Sequence, residues 1–236
     1  TISDVALIGG GAHLQPGEVS LAHNGVLFLD EFPEYSKNAL ETLRQPLEDR
    51  QISISRARYN VTLPCSFMLV AAMNPCPCGY YNDPHHPCTC RPGQVQRYMS
   101  RISGPLLDRI DLQVEVVPVS VRELSSAPAG ESSAAIRARV VAARRRQAAR
   151  FADCPGVHCN AQMAARHIKA FVQLDESAHA ALEQALDRLG LSARAYERVL
   201  KVSLTLADLD GVDQITRTHI AEAISYRNLD RASWGE

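Results

Sequence analysis

The run Gly25-Val-Leu-Phe-Leu-Asp30-Glu31-Phe32 constrains this chain more than any other segment. A short apolar run after a glycine reads as a strand buried in a sheet, and this one stops on two adjacent carboxylates. A buried strand holds its last residues rigidly, so acids at that point can position a hydrated Mg²⁺ and polarise an attacking water. Alone this is a weak signal, because many strands end in acidic residues. A Walker-type nucleotide site also needs G-x-x-x-x-G-K-[ST], whose lysine neutralises the β and γ phosphates. The three lysines, Lys37, Lys169 and Lys201, follow Ser36, Ile168 and Leu200, so the chain has no such loop. Gly9-Gly10-Gly11 is no substitute, because Ala12-His13 follows it. Two readings follow: a domain cut after its P-loop, or a degenerate NTPase. A first residue Thr1 in place of Met favours the cut.

With 236 residues, 46% apolar and 22% charged, the chain is long and apolar enough for one or two soluble domains. A net charge of −1 supplies no global basic field, so nucleic acid would have to meet a local patch or an assembled ring. No apolar stretch is long enough for a bilayer span and no signal peptide is legible. Seven cysteines, an odd number, suit a reducing cytoplasm better than a disulfide framework.

The first half alternates short apolar runs with helical patterns. Val26–Leu29 and Phe67–Ala72 read as strands buried on both faces of a parallel sheet. Ser36–Leu47 carries Leu40, Leu43 and Leu47 at helical spacing. Gln51–Ser55 and Tyr59–Leu63 alternate around Arg56-Ala57-Arg58, predicting a β-hairpin with a basic tip, and Leu112–Val119 reads as a further strand. Residues 125–133 are rich in Ser, Ala, Pro and Gly and read as a linker. Beyond it, 134–151, 161–171, 176–189, 196–209 and 218–226 read as helices.

Four further features each have a bland and a functional reading. Asn74 ends the strand 67–72 before Pro75; it is a turn cap, or an amide that orients a lytic water some forty residues after the acidic pair. Arg109 lies between Asp108 and Asp111; it belongs to a surface ion pair worth under about 1 kcal/mol, or is an arginine finger. Arg194 follows Ser192 at a helix start and is either solvated beside an N-cap or a sensor of the γ-phosphate. Arg56 and Arg58 are a solvated turn, or one element of a basic collar for a nucleic-acid backbone. The cysteines are more distinctive. Cys76, Cys78, Cys88 and Cys90 form two close pairs that can close a tetrahedral Zn²⁺ site, with His85 and His86 as rival ligands and free or redox-active thiols as the alternative. Cys65, Cys154 and Cys159 are isolated and read as packing thiols.

The segments Pro16–His23, Gly25–Glu31, Leu43-Arg-Gln-Pro-Leu-Glu48, Ile54–Ala57, Ala71–Gly79, Arg101–Leu112, Cys159–Met163 and Leu191–Tyr196 together resemble the magnesium-chelatase-like AAA+ proteins of the ComM/YifB competence type. The resemblance covers nearly the whole chain. It implies an α/β fold, namely a P-loop NTPase (AAA+) three-layer core truncated before the Walker B strand, plus an all-helical lid. In that frame residues 1–122 are the core, with the hairpin at 51–63 and a Cys-rich insert at 76–90. Residues 123–133 are then a linker and 134–236 the lid. Asp30 and Glu31 match the family's Walker B acids, Asn74 its sensor 1, Arg109 its arginine finger and Arg194 its sensor 2. ATP and Mg²⁺ are the implied cofactors, a hexameric homo-oligomer the implied assembly and DNA the implied partner. The implied activity is a branch-migration helicase or translocase acting in natural transformation. A chelatase-type ATPase that remodels a protein partner and a catalytically silent AAA+ scaffold are the alternatives. The chain departs from the family pattern in lacking the P-loop, so it is expected not to hydrolyse ATP by itself, and in placing Leu204 where a second basic lid residue is expected.

Overall fold

The computed structural model describes residues 4–10, 15–56, 59–119, 125, 130–189 and 192–227. The chain divides into two compact units, the first running to Ile110 and the second from Asp111. The first is mixed α/β; the second is built of helices joined by turns, with one isolated parallel bridge between Leu174 and Ile215.

The first unit opens with helix α1 (Asp4–Ile8), the short antiparallel pair β1 (Gly9–Gly10) and β2 (Gln15–Pro16), and helix α2 (Glu18–Leu21). Glycine is required here for closeness as well as conformation. A Cβ on Gly17 would lie 2.3 Å from the Gly9 nitrogen, and Gly9 has φ +103°. Strand β3 (Val26–Leu29) follows, then a 3₁₀ turn at Phe32–Glu34, helices α3 (Lys37–Thr42) and α4 (Arg44–Asp49), and strands β4 (Gln51–Arg56), β5 (Tyr59–Pro64) and β6 (Met68–Ala71). The helical pattern expected over 36–47 is therefore two helices. Pro46 has no N–H to offer the Thr42 carbonyl, so the first helix ends and Leu43 joins it to the second.

β3 and β6 pair in parallel with Val26 opposite Met68 and Leu29 opposite Ala71. Leu27 and Leu29 point into a core shared with Leu7, Val19, Phe32, Leu40, Leu43, Ile52 and Leu106. The expectation that both faces are buried does not hold. Val26, Phe28, Met68 and Val70 are 54, 58, 60 and 40% exposed, because among the described residues no layer covers the second face. An unbroken apolar run is the pattern of a strand covered twice, whereas the described residues supply only one cover. β4 and β5 form the expected antiparallel hairpin, its inward side carried by buried Ile52 and Ile54. Helices α5 (Gln94–Met99) and α6 (Gly104–Leu107) complete the unit.

Residues 112–119 are not a strand. They have no regular structure, and Val114, Val116, Val117 and Val119 are exposed. Alternating valines make a strand only when another strand pairs with their backbone, and the described residues provide none. The segment is anchored to the second unit by the Gln113 amide, which donates to the Tyr226 carbonyl at 2.7 Å.

The second unit contains α7 (Ser133–Arg150), a 3₁₀ turn at Asn160–Gln162, α8 (Ala165–Phe171), α9 (Glu176–Leu189), α10 (Ala193–Asp210) and α11 (Arg217–Ser225). Helix α10 is its centre. Val199, Leu200, Leu204 and Ala207 recur at helical spacing, are buried, and pack with Phe151, Leu182, Ile215 and Ile220. Ser192 caps α10 by accepting from the Ala195 amide at 3.2 Å, and Gly211 in the left-handed region ends it. Leu204 is fully buried, so at this position the chain places core packing where a basic residue was expected.

Candidate active site

Two parallel strands that start level also end level. Leu29 lies opposite Ala71, the Ala72 amide donates to the Leu29 carbonyl at 2.9 Å, and the Phe32 amide donates to the Ala72 carbonyl at 3.0 Å. Asp30 and Glu31 therefore leave the sheet at the same edge as the segment that carries Asn74. All three residues are exposed. Glu31 sits in the left-handed region at φ 49°, and its amide donates to Asp30 Oδ1 at 2.8 Å. Non-glycine residues rarely adopt that conformation, and where they do it commonly marks a functional turn. Neither acid pairs with a cation among the described residues.

Arg109 is placed differently from a side chain extended into solvent. It follows α6 and its side chain is only 8% exposed. Its guanidinium pairs with Glu48 of α4 and donates to the Pro105 carbonyl at 2.6 Å, leaving Nε buried without a partner among the described residues. The pair lines a cleft of about 530 Å³ that also takes in Glu41, Arg44, Asp49 and Ser53. Glu48 was not singled out in the sequence, where nothing ties it to an arginine sixty-one positions away. Arg194 stands, exposed, on the first turn of α10 in the second unit. Arg58 lies outside the described residues, as does the side chain of Arg56; the backbone of Arg56 ends β4 opposite Tyr59.

The four clustered cysteines come together. Cys76 Sγ lies 3.3 Å from Cys78 Sγ and 3.8 Å from Cys88 Sγ, and Cys78 and Cys88 are 3.5 Å apart. All four sulfurs, Cys90 included, fall within 4.8 Å of one another. Gly79, at φ +85°, closes the turn by donating to the Cys76 carbonyl at 3.0 Å. The Tyr80 amide donates to Cys78 and, with that of Thr89, brings its thiol down to about 5, whereas desolvation pushes Cys90 up to about 12. The histidines do not join the cluster. The amides of His85 and His86 donate to Asp83 Oδ1 at 2.7 and 3.0 Å, and the His86 ring lies 5.1 Å from that of Tyr80.

Parallel strands with acids at their carboxyl edge, followed by a helical unit, match two family models: magnesium chelatase, subunit ChlI, over residues 1–124, and magnesium chelatase, subunit ChlI C-terminal, over residues 130–227. The chain belongs to this magnesium-chelatase-like AAA+ family. It is 49% identical to the YifB protein of Escherichia coli (strain K12) over 96% of its own length and 44% of that protein's. To the competence protein ComM of Haemophilus influenzae it is 46% identical over 96% of its length and 43% of that protein's. A more distant likeness, 30% identity over 44% of this chain and 14% of the relative, is to the probable DNA helicase MCM9 of Arabidopsis thaliana. The chain thus spans less than half the length of the curated relatives that it matches most extensively. No helix among the described residues is long and apolar enough to cross a membrane.

Proposed function

We propose that this chain is the ATPase module of a ring-forming AAA+ DNA helicase or translocase of the ComM type, acting in branch migration during natural transformation. The observation that carries this reading is the shared carboxyl edge of the parallel strands β3 and β6, which Asp30 and Glu31 on one side and Asn74 on the other follow. Ligands of open α/β sheets bind outside the carboxyl ends of the strands. A pair of exposed carboxylates without a cation partner fits Mg²⁺, a hard ion that takes oxygen ligands and keeps several waters. Asp30 would hold that ion through water, Glu31 would polarise the attacking water, and Asn74 would orient it. Mg²⁺ supplies neutralisation of charge on the transferring phosphoryl group. Arg109 would act as the finger on a neighbouring subunit's nucleotide, exchanging Glu48 for phosphate, and Arg194 would sense the γ-phosphate. The phosphate cradle itself, G-x-x-x-x-G-K-[ST], is not among the 236 residues, so this polypeptide alone should not turn over ATP.

On this reading residues 1–122 are a P-loop core truncated before the Walker B strand, 123–133 a linker and 134–236 a lid. The working protein is a cytoplasmic homo-hexamer with Arg56 and Arg58 facing DNA. ATP and Mg²⁺ are its cofactors, and the four thiols offer Zn²⁺ a separate place. The printed names of a competence protein and a DNA helicase among the relatives support DNA as the partner. The name of the matching family supports one rival, a chelatase-type engine working on a protein.

The deciding experiment uses the full-length protein. ATPase activity should rise with forked DNA, and Glu31→Gln should bind ATP yet stall. Hydrolysis undiminished by Glu31→Gln removes the acid assignment. Activity indifferent to DNA but raised by a protein partner selects the chelatase engine. Robust hydrolysis by the 236-residue chain, abolished by Glu31→Gln, overturns the claim that its nucleotide site is incomplete.

A further inference from the structure

We infer that Cys76, Cys78, Cys88 and Cys90 bind one structural Zn²⁺, and that this ion is the clasp that holds the return leg of the insert against Asn74 and the turn after the acidic pair. The first half of the argument is geometric. Zinc–thiolate bonds of about 2.3 Å in a tetrahedron put the sulfurs about 3.8 Å apart. The three pairs among Cys76, Cys78 and Cys88 measure 3.3, 3.5 and 3.8 Å. All seven cysteines are free thiols, so these approaches are not disulfides. The histidines that could have competed lie outside the group of four sulfurs, and the His86 ring lies against Tyr80. Tetrahedral sulfur favours zinc among the abundant divalent ions, and four thiolates leave no open position for a substrate.

The second half concerns what would otherwise hold this segment. Residues 72–93 contain no helix or strand, and none of residues 74–101 belongs to either apolar core. Yet Cys76 is fully buried and the chain must come back to α5. A stretch with neither ladder nor core stays in one conformation only if something else offsets its conformational entropy, and a metal closing a loop does so. The return leg then makes two contacts with the candidate site. Tyr98, buried on α5, interacts through its hydroxyl with the backbone of Asn74. Arg101 donates to the Pro33 carbonyl at 2.9 Å and to Glu34 at 2.8 Å, directly after Asp30 and Glu31. Tyr98 and Arg101 are positioning residues. Metal binding does not depend on the ATPase reading; only the consequence for catalysis rests on it.

The test therefore begins without nucleotide. Protein purified in the absence of chelator should carry one zinc per chain by elemental analysis, and the double substitution Cys78→Ser, Cys90→Ser should lose it. Co²⁺ in place of Zn²⁺ should give the intense spectrum of a tetrahedral tetrathiolate. Substoichiometric zinc with four freely titrating thiols, iron in place of zinc, or an octahedral cobalt spectrum overturns the site. Because the double variant could fail to fold, the wild-type protein is also stripped with a chelator and followed by hydrogen exchange. Amides from 74 to 98 should lose protection at least tenfold, with the 51–64 hairpin and the second unit unchanged and zinc restoring the original pattern. Protection unchanged by stripping, or lost throughout the chain, overturns the clasp. Zinc at full stoichiometry in a full-length protein without ATPase activity would retire the ATPase reading and leave the metal site standing.

Discussion

Each unit holds an arginine against a carboxylate, and the two pairs are built to different ends. In the helical unit Arg150 meets Asp208, whose side chain is fully buried; Asn160 donates to the same carboxylate at 2.8 Å and Thr205 takes Asn160's other hydrogen. Burial works against that charge, but the bonds from Arg150 and Asn160 outweigh it and hold Asp208 below the usual carboxylate range. In the α/β unit Arg109 meets Glu48, half of whose side chain is exposed. The first pair centres on a fully buried carboxylate that Arg146 also approaches, at 3.6 Å. The second opens on a cleft of about 530 Å³. The sheets and helices repeat this contrast: α10 is surrounded by partners, whereas β3 and β6 leave one apolar face bare among the described residues. A carboxylate buried among donors serves the core of its unit, whereas an ion pair lining a cleft stands where solutes can reach it.

The largest effect should separate the pairs outright. In the full-length protein Arg109→Ala should lower kcat by about 10³-fold or more with little change in nucleotide binding, as trans fingers do, and should scarcely move the thermal midpoint. Mixed rings of Arg109→Ala and Glu31→Gln subunits should recover part of the activity; rings that never recover place Arg109 outside the neighbour's site. Asp208→Ala should do the reverse, costing about 3–5 kcal/mol in urea unfolding because Arg150 is left charged and unpaired. Its pH signature follows from the direction of the shift. A carboxyl held low in the folded state stabilises fully above its unfolded value and loses that contribution as pH falls through the folded one. Asp208→Asn should therefore flatten the acid limb of stability, and a limb as steep as wild type would assign it to other groups.

Two smaller effects test the sheet. Leu29→Ala, on the buried face, should cost about 2–5 kcal/mol in chemical unfolding of this chain. Its neighbour Phe28→Ser, on the bare face, should change the same measurement by about 0.5 kcal/mol or less. A large loss at Phe28 would mean that something covers that face in solution.

Much of this was legible in the residues themselves. The acids after Val26–Leu29, the hairpin around Arg56–Arg58, the helix 176–189 and the pairing of cysteines all follow from local chemistry: periodicity, turn residues and ligand spacing. The two misses among the strands share one cause. Leu112–Val119 alternates like a strand and is not one, and Val26–Leu29 is apolar throughout yet half exposed. A strand's state depends on a neighbouring backbone, and a sequence pattern records only what a residue prefers to face.

By itself, then, the sequence determined the family, the order of elements and the kinds of side chain offered at each turn, because these depend on residues near one another along the chain. Only the tertiary structure decided that Glu48 answers Arg109, that Tyr98 and Arg101 reach back to Asn74 and Glu34, that four sulfurs share one point while two histidines turn aside, and which face of the sheet lies bare. Each of those is a contact between residues far apart in sequence, and such contacts are selected by packing and desolvation of the whole unit rather than by any local preference.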